Sequence, residues 1–149
     1  PDQWVTKKAR EGGADHVVRA LCSQQGGVAI AAKGAVVDSS AEDPAVDQLL
    51  STARWKEAYI PCPVPTTRSR GTTCGFFVAS LYTKAGEDNA ALFRQTFAAA
   101  ARIGSAPYFI CMGANIDIRN SVILQDALSM GWVNVAEGLP DEFARTFGQ

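Results

Sequence analysis

Apolar residues fall along this chain in short runs cut by glycine, proline and charge, and the spacing inside each run predicts its element. Residues 76–82, FFVASLY, alternate cleanly. Phe76, Val78, Ser80 and Tyr82 lie on one face and Phe77, Ala79 and Leu81 on the other, so both faces are largely apolar and the strand reads as central. Residues 55–60, WKEAYI, and 108–112, YFICM, read as further strands. Two apolar runs, 28–32 and 35–37, flank Lys33 and Gly34 and predict a hairpin.

Helical spacing is strongest in NAALFRQTFAAAARI, where Phe93, Phe97 and Ala100 recur with Leu92 and Ile103 beside them. Glu87 or Asp88 can cap this helix and Gly104 ends it, while the alanine run permits close approach to a sheet. Asp43 followed by Pro44 opens a helix through AVDQLL. A helix over 121–130 is capped by Asn120 and ended by Gly131, and WVNVAEG follows as a last short strand. Near the start, Gly12 and Gly13 divide residues 4–21 into a short helical turn and a second short helix from Asp15 through Leu21. Residues 61–75 hold three prolines in five positions and then small polar residues, which predicts a long irregular loop.

Together these elements predict an α/β or α+β layer, a mostly antiparallel or mixed sheet of five or six strands with helices on one face. A sheet apolar on both faces needs a second layer from elsewhere. One domain is expected over 1–149, with a helical lead-in (1–25), a core (26–138) and a C-terminal extension (139–149). A chain of 149 residues buries about two thirds of its unfolded surface, enough for a real core.

Charge adds a limit. The net charge is −1 and 19% of residues are charged, which fits large buried or partner-covered surfaces and gives no strong positive field for nucleic acid. One segment is locally basic: Arg54, Lys56, Arg68 and Arg70 stand against Glu57 over 54–70, as a solvated loop or as a phosphate contact. Cys22, Cys62, Cys74 and Cys111 lack CxxC spacing and read mostly as reduced core thiols, with a Cys62–Cys74 bridge across the loop within geometric reach. No apolar run approaches the ~18 residues of a membrane helix. The start at Pro1 rather than Met reads as processed or trimmed, compatible with an intracellular protein and with organellar import.

Motifs for common chemistry are missing: there is no GxGxxG, no GxxxxGK[ST], no HExxH and no GxSxG. His16, the single histidine, reads as a surface or packing residue rather than a catalytic base. Acid chemistry remains. Asn115 and Asp117 follow a strand end, where Asp117 could hold a hard cation and Asn115 orient an oxyanion. Equally, Asn115 could form the turn and Asp117 or Asn120 cap the next helix.

The run GGVAIAAKG, WKEAYIP, FFVASLY, a helix, PYFICMGANIDI, a helix and GWVNVAEG resembles the second half of the endonuclease/exonuclease/phosphatase (DNase I-like) superfamily, in particular its divergent members linked to reverse-transcriptase-type proteins. The resemblance implies a four-layered α/β sandwich, represented here by a half with its second sheet missing, and Mg²⁺-dependent hydrolysis of phosphoesters. Ser80-Leu81-Tyr82 matches the family's Asn-x-Tyr signature with Ser80 in place of asparagine. Met112-Gly113-Ala114-Asn115 matches Gly-Asp-Phe-Asn, retaining Asn115 but placing Gly113 where the family has its catalytic aspartate. The metal-binding glutamate and the late Asp-His pair have no counterpart.

The expectation is therefore a non-catalytic module, a structural or protein-binding subunit without cofactor, whose partner subunits cover an apolar sheet face. Two alternatives stand beside it. A Mg-dependent hydrolase would use Asp117 for the cation, Asn115 and Tyr82 to orient the phosphate, and Arg68 or Arg70 to neutralise it. A phosphate or nucleic-acid binder without turnover would use Arg54, Lys56, Arg68 and Arg70.

Overall fold

The computed structural model describes residues 2–22, 26–39, 44–62 and 74–138. Contacts group the chain into two compact units, Pro1–Asn115 and Ile116–Gln149. In the first unit the elements are α1 (Asp2–Glu11), β1 (His16–Cys22), β2 (Gly26–Ala32), β3 (Val37–Asp38), a 3₁₀ turn Pro44–Val46 leading into α2 (Asp47–Ser51), β4 (Trp55–Cys62), β5 (Cys74–Tyr82), α3 (Ala90–Arg102) and β6 (Tyr108–Gly113). They form a mixed four-stranded sheet, β3-β4-β5-β6, and a separate two-stranded sheet, β1-β2. The α/β class, the central place of β5 and the mixed sheet are as the sequence predicts.

Two expectations near the start are corrected. The short helix expected after Gly13, part of the helical lead-in, is the strand β1, paired along its whole length with β2 from His16↔Ala32 to Cys22↔Gly26. The expected hairpin around Lys33 and Gly34 does not form, because β2 turns back onto β1 while Val37 pairs with Tyr59 in the other sheet. Asp15 caps no helix: its carboxylate accepts from the Gly34 N–H at 3.3 Å, and its own N–H donates to the Ala32 carbonyl at 3.1 Å. Period-2 alternation explains the strand, since Val18 and Ala20 stand opposite Ile30 and Val28, and Val17 and Arg19 point the other way. A seven-residue segment carries too little helical preference to resist such a partner.

Alternation divides the larger sheet into two faces. One carries Trp55, Glu57, Ala79 and Leu81, all almost completely buried. Helix α3 lies over this face through the stripe Leu92, Phe93, Thr96, Ala99 and Ala100, where the alanines allow close packing. Val46 and Leu49, from the turn and α2, are buried with them. Gly104, with φ 77°, ends α3 in the left-handed region as predicted, while Asp88 accepts from the Ala90 N–H at 2.9 Å.

Glu57 is a charge at an inward strand position, and it is fully buried. Its carboxylate is gripped by Arg102 through two N–H···O bonds of 2.8 and 3.1 Å, and it accepts from the Tyr108 hydroxyl at 2.5 Å and the Ser39 hydroxyl at 2.7 Å. A carboxylate in this environment is tolerated because its lone pairs and its charge are both answered.

The opposite face supplies the second layer that a sheet apolar on both sides requires. Hairpin β1-β2 crosses both β4 and β5. These strands already have neighbours on either side within their sheet, so the hairpin lies over a face and not along an edge. Val28 and Ile30 of β2 are buried, as is Ala58 of β4, and Lys56 on the same face is paired with Asp38 at 2.7 Å. Helix α1 lies on the outer side of the hairpin, where Arg19 donates to the Thr6 hydroxyl at 2.6 Å. The first unit is thus layered helix, sheet, sheet, helix, its second sheet being the two strands of the hairpin.

In the second unit, Ile118–Asn120 is a 3₁₀ turn and α4 spans Val122–Ser129. Ser121, and not Asn120, caps α4 by accepting from the Leu124 N–H at 3.4 Å, and Gly131 at φ 96° follows its end. The expected last strand is a 3₁₀ turn, Val135–Gly138, because the Asn134 side chain accepts from the Ala136 N–H at 3.2 Å and closes the backbone locally. The extension 139–149 lies outside the described residues. Among the described residues no helix is long and apolar enough to cross a membrane.

Burial, and then the neighbouring Glu57 carboxylate, hold the Tyr108 phenol protonated far above its ordinary 10.0. An unfolded chain would ionise this phenol near pH 10 while the folded one would not, so the folded state binds more protons and loses stability as pH rises beyond that point. In urea unfolding, Tyr108→Phe should cost about 1.5–3 kcal/mol at pH 7. It should also remove up to about 1.4 kcal/mol per pH unit from the decline above pH 10.

Candidate functional site

Of the predicted site residues, Ser80, Tyr82, Gly113 and Asn115 gather, in the first unit, where β5 and β6 end side by side. The strands run parallel with Tyr82 opposite Gly113 and Ser80 opposite Cys111. Parallel neighbours end at the same side of a sheet, where loops can converge on a ligand. Here the ends are tied to each other. The Thr83 N–H donates to the Gly113 carbonyl at 3.0 Å, and its buried hydroxyl stands within reach of the carbonyls of Gly113 and Ala114. Asn115 sits in the left-handed region at φ 49° and its amide donates to the Thr83 carbonyl. Of the two readings of Asn115, this is the turn: its donor faces the backbone carbonyl of Thr83, the residue after β5.

Gly113 has a local reason to be glycine. A Cβ added there would lie 3.3 Å from Cδ2 of Tyr82, tighter than ordinary van der Waals contact. The ring of Tyr82 lies beside the strand end next to Gly113, while remaining half exposed. Ser80 lies within the ladder between Lys56 and Cys111.

Asp117 belongs to the second unit, and there it is a cap. It accepts from the Arg119 N–H at 2.9 Å and holds the Arg119 guanidinium through contacts of 2.8 to 3.1 Å. These hydrogen bonds pull its carboxyl below its ordinary 3.8 and push the guanidinium upward. A cation at Asp117 would have to displace Arg119. Among the described residues no group of three or more His, Cys, Asp or Glu is placed to hold a metal ion.

The basic segment is similarly engaged where it is described. Arg54 pairs with Glu87 at 3.0 Å, Lys84 shares that carboxylate at 3.2 Å, and Lys56 pairs with Asp38. Arg68 and Arg70 lie outside the described residues. His16 is an exposed residue at the start of β1. An open groove of about 580 Å³ runs between α1 and β1, past Lys7, Arg10, Glu11 and Arg19, and includes none of the predicted site residues.

Sequence reasoning missed two features. One is the burial of Glu57, whose signal is a charge at an inward position of an apolar strand. The second is the outer edge of β6. This strand ends the sheet, and its burial alternates, with Phe109 and Cys111 exposed. Phe109 is 48% exposed and Tyr82 47%, on the same face, and Phe76 meets Phe109 edge to face at 5.4 Å.

As a turn residue, Asn115 should respond to backbone strain. Asn115→Ala should cost about 1–2 kcal/mol by losing a hydrogen bond and placing a Cβ in the left-handed region, and Asn115→Gly should cost less because glycine adopts that region freely. Denaturant unfolding of both variants checks this. As a cap, Asp117 should titrate below 3.8 by carboxyl NMR and move back toward that value in Arg119→Ala. Compared with protein-family models, with curated proteins and with solved structures, the chain gives no match.

Proposed function

We propose that this chain is a non-catalytic protein-binding module with DNase I-like layering, and that it receives partners along the open edge of β6. The observation that carries this is β6 itself. Its six residues contain no charge and no proline, and its outer edge has no neighbouring strand among the described residues. Natural edge strands are normally blunted by charge, proline, bulges or a covering loop, because free N–H and C=O groups pair readily with another chain. Beside this edge, Phe109, Phe76 and Tyr82 form an apolar strip that the hairpin leaves uncovered. An extended partner segment added to β6 would satisfy the backbone and bury the strip.

This reading refines the partner-covered face expected from the sequence. Most of that face is covered by β1-β2, so the partner surface contracts to one edge and one strip. The non-catalytic part is supported by Gly113 at the family's aspartate position, by the Asn115 amide bonded to the backbone and by the pairing of Asp117 with Arg119. The layer order and the motifs at the end of β6 support the DNase I-like part.

Panning a random peptide display library on the full chain tests the proposal. Peptides with apolar residues at alternate positions should be selected. Their affinity should fall about tenfold or more in Phe109→Lys and stay unchanged in Trp4→Ala, which alters an exposed residue of α1. Binding that survives Phe109→Lys would overturn the edge. Phosphodiester turnover with Mg²⁺ or Mn²⁺ that disappears in Asp117→Ala would overturn the non-catalytic reading.

A further inference from the structure

The last rung of the β4-β5 ladder is formed by two cysteines. Cys62 and Cys74 are direct Cα partners in this antiparallel pair, and both are free thiols, the first half-buried and the second exposed. Residues paired across a ladder share a face, so their side chains leave the sheet on the same side, in line with the Ile60–Phe76 and Ala58–Val78 pairs before them. Directly opposite Cβ atoms in such a ladder lie about 4.5–5.5 Å apart, and a disulfide needs about 3.5–4.5 Å with Cα atoms 4.4–6.8 Å apart. A small approach of the two strands at this rung, the last among the described residues, would bring the sulfurs into bonding range.

We propose that Cys62 and Cys74 are a redox-responsive dithiol that closes to a cross-strand disulfide. The reaction needs a two-electron acceptor, and a small-molecule disulfide such as oxidised glutathione supplies it. The thiolate of one cysteine attacks a glutathione sulfur, forming a mixed disulfide and releasing one glutathione thiolate. The second cysteine, deprotonated, attacks the protein-side sulfur and releases the other glutathione. The dithiol loses two protons and two electrons, one S–S bond forms and one is broken.

The pairing is specific. Cys111 stands opposite Ser80, six residues along β5 from Cys74 and therefore ~20 Å away at the rise of a strand. Cys22 is paired with Gly26 in the other sheet. Exposure on one side of the pair gives oxidant and reductant access, which is the condition under which a disulfide is labile rather than permanently structural. Closing the bond joins the two ends of the segment 63–73, so the stretch carrying Arg68 and Arg70 becomes a covalent ring in the oxidised form and an open chain in the reduced one.

The test equilibrates the full chain in glutathione buffers of stepped ratio, quenches in acid, alkylates and maps peptides by mass spectrometry. Oxidation should remove two of the four thiols reversibly and yield a crosslinked Cys62–Cys74 peptide. Cys62→Ser and Cys74→Ser should each abolish the crosslink, Cys111→Ser should preserve it, and circular dichroism should show all three folded. The oxidised form should melt roughly 5–10 °C higher, as expected for closing a loop of this length. Persistent glutathione adducts on Cys62 or Cys74, a crosslink through Cys111, or disulfide-linked dimers would each overturn the proposal.

Discussion

The carboxylate of Glu57 sets the terms on which the first unit packs. A fully buried charge is acceptable only when partners reach it from every open side, and these come from three separate stretches of chain: Ser39 after β3, Arg102 in the last turn of α3 and Tyr108 at the head of β6. Such a group adds little net stability compared with well-packed apolar residues, but it makes wrong packing expensive. A one-residue slip of β4 would send Glu57 to the hairpin face and away from Arg102 and Tyr108. Rotation of α3 would do the same from the other side. The β5-α3-β6 crossover therefore has one satisfactory arrangement, and the open edge at β6 is its outcome.

The hairpin answers a second constraint. A central strand apolar on both faces cannot be left against water, and one helical layer covers only one of them. Strand β2, rich in glycine and alanine, can come close to β4 and β5, with Val28 and Ile30 filling the space between. The cover stops short of β6. What sequence alone suggests is a whole missing layer becomes a narrow apolar strip around Phe109, beside backbone groups able to pair with another chain.

The end of β6 shows how a strand end can hold an amide against neighbouring backbone. Asn115 and Asp117 are two positions apart and read on paper as a catalytic edge. In the fold each has a nearby structural task, Asn115 closing a turn onto Thr83 and Asp117 capping a 3₁₀ turn with Arg119. Gly113 and Tyr82 fit one another across the parallel rung, where a side chain at 113 would press against the ring.

Local pattern alone determined the elements whose periodicity is long or unambiguous: β4, β5, α3 with its Gly104 stop, β6 and α4, and with them the α/β class. Each has enough residues for one face to outweigh alternatives. It also placed Gly113 beside Asn115 and marked Cys62 and Cys74 as the thiols flanking one loop. Only the tertiary structure decided the rest. Residues 16–22 become a strand because a partner strand is available, and Val37 leaves β2 for β4 because pairing is a contest between distant segments. The Asn134 side chain turns WVNVAEG away from a strand by a bond too local for periodicity to register. Burial of Glu57, the pairing of Asp117 with Arg119 and the exact opposition of Cys62 to Cys74 depend on register and side-chain reach, which no count along the chain contains.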